Sequence, residues 1–153
     1  MPTKPRIVVA DDFVDGREMV AEYLAFRGFD VFEAGDGGAA IEIARRVRPC
    51  IVLMDLAMPG IDGWEATRRL KTDPATKNIM VIVVSAHALD GTEASARQAG
   101  CDAYIPKPND LAVLGDMLWQ WVYARADLSD PTDVPIEPTK ATTRRRKRVS
   151  RSS

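Results

Sequence analysis

Asp11 and Asp12 follow the apolar run Ile7-Val8-Val9-Ala10 without a break. Asp55 follows Ile51-Val52-Leu53-Met54, and Ser85 closes the run Ile79-Met80-Val81-Ile82-Val83-Val84. Lys107 stands two residues beyond Ala103-Tyr104-Ile105. Three carboxylates, a hydroxyl and an ammonium therefore recur at one kind of place, the end of a short apolar run. Any single aspartate there could serve as a turn or a helix cap. Five such residues together point to a site. Carboxylates brought together repel, and a hard divalent cation relieves the repulsion. Oxygen ligands from Asp12, Asp55 and water suit Mg²⁺, which keeps several of its waters. A carboxylate can also attack a phosphoryl group and form an acyl phosphate. Asp55 stands alone, facing the Asp11-Asp12 pair, and is the candidate nucleophile. The cation and Lys107 would neutralise the transferred oxygens, and the Ser85 hydroxyl would donate to one of them.

These residues converge only if the runs are neighbouring strands. Continuous β-branched runs of this length suit strands buried on both faces of a parallel sheet. Val31-Phe32 and Ala103-Tyr104-Ile105 are shorter and are expected nearer the sheet edges. Helical patterns fill the gaps. Residues 15–27 place Met19, Val20, Tyr23 and Leu24 on one stripe, with Gly28 as a C-terminal cap. Residues 37–47 carry Ala40, Ile41, Ala44 and Val47, and Pro49 ends that helix. Asp62 with Glu65 reads as a capping box for 63–72, and Asp90 with Glu93 as one for 91–99 closed by Gly100. The last helix spans roughly 109–126. Alternating β and α units at short loop lengths predict a doubly wound α/β fold, with all strand C-terminal ends on one edge. Ligands bind at that edge.

The ordered set Asp11-Asp12, Asp55, Met58-Pro59-Gly60-Ile61-Asp62-Gly63, Ser85-Ala86 and Lys107-Pro108 resembles the receiver domain of two-component response regulators. The resemblance covers about residues 5–126. It implies a flavodoxin-like five-stranded parallel sheet of order 2-1-3-4-5 with flanking helices. It implies that Asp55 accepts a phosphoryl group from a phosphohistidine of a sensor kinase or phosphotransfer protein, making the chain a phosphoacceptor rather than an enzyme. It implies Mg²⁺ (or Mn²⁺) held by Asp12, Asp55 and the backbone carbonyl of Ala57, with Asp11 acting through water. Ser85 and Tyr104 match the family's switch pair, Lys107 its phosphate-binding lysine, and Pro108 the residue that follows a cis peptide bond. Phosphorylation adds charge that Ser85 would answer, and Tyr104 would fill the space Ser85 leaves.

Two positions depart from the family's usual pattern. Ala57, two residues after Asp55, has no polar group to orient a hydrolytic water, so a long-lived phosphoryl group and at most slow self-dephosphorylation are expected. His87, two after Ser85, occupies the other position that tunes hydrolysis. Ala57 also argues against an aspartyl-phosphate hydrolase of the haloacid-dehalogenase type, which needs a second carboxylate there. A purely structural pseudo-receiver would not need all five site residues.

Composition sets the remaining bounds. The chain has 153 residues, 46% apolar and 28% charged, which fits one domain with a short extension. No apolar run approaches the ~20 residues of a membrane span, and Ile7–Ala10 is too short for a signal-peptide core. A cytoplasmic protein is expected, with no membrane partner. Cys50 and Cys101 fit no metal spacing and read as reduced, buried small residues. Residues 1–128 hold 14 basic and 19 acidic residues, net −5, and residues 129–153 hold 7 and 3, net +4. We read 1–128 as the receiver-like domain and 129–153 as a disordered basic C-terminal tail carrying Arg144-Arg145-Arg146-Lys147-Arg148. That tail supports an alternative, receiver-regulated binding of nucleic acid or an acidic partner. It has no aromatic interleaving and no apolar face, which argues against sequence-specific nucleic-acid binding. Leu111, Leu114, Leu118, Trp121 and Val122 form the core stripe of the last helix. Trp119 and Tyr123 fall off it, which points to a homodimer or partner face built from 91–105 and 109–126.

Overall fold

A computed structural model describes residues 4–85, 94, 98–107 and 110–129. Five strands form one parallel sheet: β1 (Arg6–Ala10), β2 (Asp30–Ala34), β3 (Ile51–Asp55), β4 (Met80–Ser85) and β5 (Ala103–Pro106). Their order is β2-β1-β3-β4-β5. This is the doubly wound, flavodoxin-like order expected from the sequence. The two weaker runs are the edge strands, and β1, β3 and β4 lie inside. The inner strands carry the continuous β-branched runs because helices cover both of their faces.

Four helices are described: α1 (Val14–Phe26), α2 (Gly37–Val47), α3 (Gly63–Thr72) and α4 (Leu111–Ser129). One core layer joins Val8, Ala10, Val52, Met54 and Val81 to Ala40, Ile41 and Ala44 of α2 and Ala66 and Leu70 of α3. The other joins Ile7, Val9, Leu53, Ile82 and Val84 to Leu24 of α1 and Leu114 and Leu118 of α4. Alternate residues of each inner strand thus feed opposite layers, as the two-residue period of a strand requires.

The helix ends follow their residues. Asp36 caps α2, its side chain accepting from the Ala39 N–H at 2.8 Å. Asp62 caps α3, accepting from the Glu65 N–H at 3.0 Å. Only this arm of the expected capping box forms. The Glu65 carboxylate accepts from Arg68 and Arg69 one turn on instead. Gly28 adopts a left-handed φ of 102° just past α1 and closes it. Arg48 takes the same role after α2 at φ 51°, because Pro49 cannot continue the helix.

The off-stripe aromatics of α4 are committed inside the molecule. The Trp119 ring stacks on Phe29 with centroids 4.5 Å apart, and its Nε1–H donates to the Arg27 carbonyl at 3.0 Å. Tyr123 stacks on Trp119 at 5.6 Å. The helical stripe missed this because Phe29 arrives from the α1–β2 turn and covers a face that α4 alone leaves bare. Trp119 is therefore half-buried packing rather than an exposed anchor for a partner.

The helix expected at 91–99 with its Asp90/Glu93 box, together with Ala86, His87, Pro108 and the tail from 130 onward, lies largely or wholly outside the described residues. Among the described residues no helix is long and apolar enough to cross a membrane.

Candidate phosphoacceptor and metal site

The register brings the chemistry to one edge. Ala10 pairs with Met54, so Asp11 follows β1 at the level where Asp55 ends β3. Asp55 pairs with Val84 and Ser85 with Pro106, which sets Ser85 and Lys107 beside them. Carboxylate oxygens of Asp11, Asp12 and Asp55 lie within 4.8 Å of one another. The Lys107 Nζ is 2.8 Å from Asp11 Oδ2 and 3.8 Å from Asp55 Oδ1. The Lys107 N–H donates to the Ser85 carbonyl at 2.7 Å, fixing the base of the lysine.

Asp11 is held from several sides. Its Oδ1 accepts from the Phe13 N–H at 2.9 Å, and its own N–H donates to the Ala34 carbonyl at 3.0 Å. Arg17 donates to the Asp11 carbonyl at 2.9 Å while pairing with Glu33. Asp12 is exposed and points its carboxylate into the same cluster.

Burial pushes the Asp55 carboxyl up to about 6. Lys107 pulls against that shift, Asp11 adds to it by charge and by a shared hydrogen bond, and the Ala57 N–H pulls it down. The apolar wall behind the burial is a cavity of about 200 Å³ between α1, α4 and the sheet. Val20, Leu53, Leu111 and Leu114 line it, and it opens beside Asp11, Asp55 and Lys107. Crowded carboxylates, one of them forced toward its neutral form, are the donor set that a hard divalent cation relieves. The residues present fit Mg²⁺.

The β3–α3 loop shapes the far side. Gly60 sits at φ 71°, a backbone conformation that L side chains rarely adopt. A Cβ on Gly63 would lie 2.4 Å from the Asp55 carbonyl oxygen, and one on Gly37 2.3 Å from the Ile61 carbonyl oxygen. The glycines let α2 and α3 close on the loop that carries Ala57.

The response regulator receiver domain model matches residues 7–118. The chain belongs to the response regulator receiver family. Among similar proteins is the polar-differentiation response regulator DivK of Brucella ovis, 35% identical over 106 residues, 69% of this chain and 85% of that one. DivK of Brucella anthropi is 34% identical over 102 residues, 67% and 83% of the two chains. The receiver domain of a sensor histidine kinase of Pseudomonas aeruginosa PAO1, with a magnesium ion coordinated in its active-site cleft, superposes with TM-score 0.73. It is 29% identical and covers 78% of this chain and 98% of that one. A CheY-like receiver of Methanospirillum hungatei JF-1 shares the fold, with TM-score 0.77 at 21% identity, covering 83% and 100%.

The receiver edge thus gathers Asp11, Asp12, Asp55, Ser85 and Lys107. Ser85 is 1% exposed at the end of β4. Tyr104 is half-buried and packs with Trp64 onto Leu56, Val83 and Cys101. Sequence reasoning missed Arg17, Phe13 and Gly37, and carried Gly63 only as the last residue of a loop motif. Arg17 bonds a backbone carbonyl, and the glycines matter through backbone approach, neither of which residue chemistry announces. Spacing behind the Asp-Asp pair was the one signal for Phe13, which holds the position just before α1 and stands 64% exposed.

Proposed function

We propose that this receiver accepts a phosphoryl group on Asp55 from a phosphohistidine of a histidine kinase or histidine phosphotransfer protein. The observation that carries the reading is the Lys107 ammonium set between Asp11 and Asp55, 3.8 Å from Asp55 Oδ1. An Asp55 carboxylate oxygen attacks phosphorus, an O–P bond forms, and the N–P bond of the phosphoimidazole breaks. The imidazole leaves with its electron pair, and Asp55 becomes an acyl phosphate. Asp12, Asp55 and the Ala57 carbonyl would hold Mg²⁺, with Asp11 acting through water. Bound there, the ion supplies neutralising charge to the phosphoryl oxygens. Lys107 leaves Asp11 for the new phosphoryl oxygens, and the Ser85 hydroxyl donates to another. Tyr104, paired with Val83 two strand positions before Ser85, follows into the space vacated. The repacked surface then favours a partner or passes the phosphoryl group on.

The test is phosphorylation by acetyl phosphate read by intact mass, with Mg²⁺ and with EDTA, for the wild type and Asp55→Asn. One added phosphoryl group that needs both Mg²⁺ and Asp55 is the expected result. An adduct that persists in Asp55→Asn would overturn the assignment of the acceptor.

A further inference from the structure

Strand β2 is an edge of the sheet, and α1 lies beside it. Between them runs an open groove floored in part by Phe29 and Val31. Helix α1 contributes Asp15, Glu18 and Glu22, and β2 contributes Asp30 and Glu33. All five carboxylates are exposed, and none belongs to the cluster around Asp55. Lys4 is the one cation lining the groove among the described residues. Arg17 answers Glu33 at 2.9 Å. No ion pair is formed by Asp15, Glu18, Glu22 or Asp30 among the described residues. Glu18 and Glu22 stand four apart on one helix, a like-charge spacing that weakens α1. The groove is therefore a face with both an apolar floor and uncompensated negative charge.

The same chain carries its complement. Arg144-Arg145-Arg146-Lys147-Arg148 is an unbroken run of five cations. The route to the groove starts close by. Trp119 of α4 stacks on Phe29, the residue that also lines the groove. From Trp119 the helix continues to Ser129, about 15 Å at 1.5 Å per residue. The fourteen residues from 130 to 143 can then span about 50 Å when extended. A folded domain of this size has a diameter of roughly 35 Å, so reach does not limit where the run goes and charge decides. On the opposite layer Arg45 answers Asp73, and Arg68 and Arg69 answer Glu65, so that face offers the run less uncompensated negative charge.

We infer that Arg144–Arg148 docks in the acidic groove between α1 and β2 of its own molecule. The docked run covers the edge strand and withholds its cations from other polyanions. A nucleic acid or acidic protein that engages the run must first displace it from α1. This inference does not rest on the phosphoacceptor reading, because no residue of the Asp55 site takes part.

A zero-length carbodiimide cross-linker applied to the full chain tests it, with ¹⁴N- and ¹⁵N-labelled chains mixed. Lys147 is expected to link to Glu18, Glu22 or Asp30 within chains of one label. Those links should fall about fivefold or more at about 1 M NaCl, where the screening length is only ~3 Å. The variant Glu18→Lys with Glu22→Lys should lose the remaining link to Asp30. Replacing Arg144–Arg148 by serine should shift backbone amide resonances of α1 and β2 and leave those of α3 in place. Links between differently labelled chains would show a second copy as the occupant and overturn the inference. Links spread evenly to Glu42, Asp62 and Glu65, or amides of α1 and β2 that do not move, would overturn it as well.

Discussion

Gly63 presses against the backbone of Asp55 so closely that a Cβ there would sit 2.4 Å from the Asp55 carbonyl oxygen. The same Cβ would meet the Leu56 Cα at 2.7 Å. Both neighbours are backbone and cannot swing aside. Gly63→Ala should therefore destabilise the fold by about 1–3 kcal/mol and displace the loop that carries Ala57. Urea unfolding measures the first effect, and the initial rate of acetyl-phosphate labelling the second. Unchanged values for both would show that α3 can retreat without cost.

The raised pKa of Asp55 makes stability depend on pH with a definite sign. The folded state holds this proton more tightly than the unfolded chain does, so the stabilisation is present at low pH. It is lost as pH rises from about 4, the group's ordinary value, through about 6. Without metal the loss should be on the order of 1–3 kcal/mol at neutral pH. Asp55→Asn should remove that share of the slope, and Mg²⁺ should restore stability to the wild type alone. Because Lys107 pulls the pKa down, Lys107→Met should carry the fall to higher pH. Denaturant titrations in EDTA across that range read all three outcomes.

Trp119→Ala should cost about 2–4 kcal/mol, since it removes the stack on Phe29 and leaves a gap between α4 and the α1–β2 turn. Trp119→Phe keeps a ring there but strands the Arg27 carbonyl, for about 1 kcal/mol. Sedimentation should show the same oligomeric state for both variants and the wild type. A change of state with stability intact would return Trp119 to the role of an interface anchor.

Ala57 offers no polar side chain beside Asp55 for positioning water. The phosphorylated protein should therefore outlive the phosphorylated Ala57→Gln variant by about tenfold or more. Loss of the acyl phosphate in buffer, followed by intact mass, gives both lifetimes. Equal lifetimes would show that hydrolysis is limited elsewhere.

Burial pushes the Cys50 thiol up to about 11. Its thiolate fraction at neutral pH is then on the order of one in ten thousand, and the thiolate is the reactive form. Iodoacetamide should label Cys50 at least about a hundredfold more slowly in the native protein than in urea. Peptide mass mapping over time reports the ratio.

The legible parts of the fold were those written in runs and periods. Continuous β-branched stretches at 7–10, 51–54 and 79–84 could only be strands covered on both faces, and the charged residues that end them were placed at one edge by topology alone. Asp36 was not recognised as a helix cap although a helix was expected from 37, because Ala39, three residues on, supplies no Glu or Gln to complete a capping box. The position of Trp119 was illegible for a different reason. A helical stripe describes which residues share a face, but not which residue from another segment comes to cover it. Glu65 shows the same limit at the scale of one side chain: a capping partner by spacing, it was claimed by two arginines the spacing rule does not weigh.

The strand order also fixes an order of assembly. Strand β1 pairs with β2 on one side and β3 on the other, and β4 and β5 attach in turn outside β3. The segment carrying α1 must close before β2 meets β1 and that carrying α3 before β4 meets β3, and β1 cannot meet β3 until residue 51 exists. During synthesis the first three strands therefore form a half-sheet, one edge of which is the fully apolar run Ile51-Val52-Leu53-Met54. That edge stays open until β4 arrives some thirty residues later. Folding is consequently paced by long loop closures, and the interval before Met80 leaves the ribosome is when this chain is most exposed to aggregation.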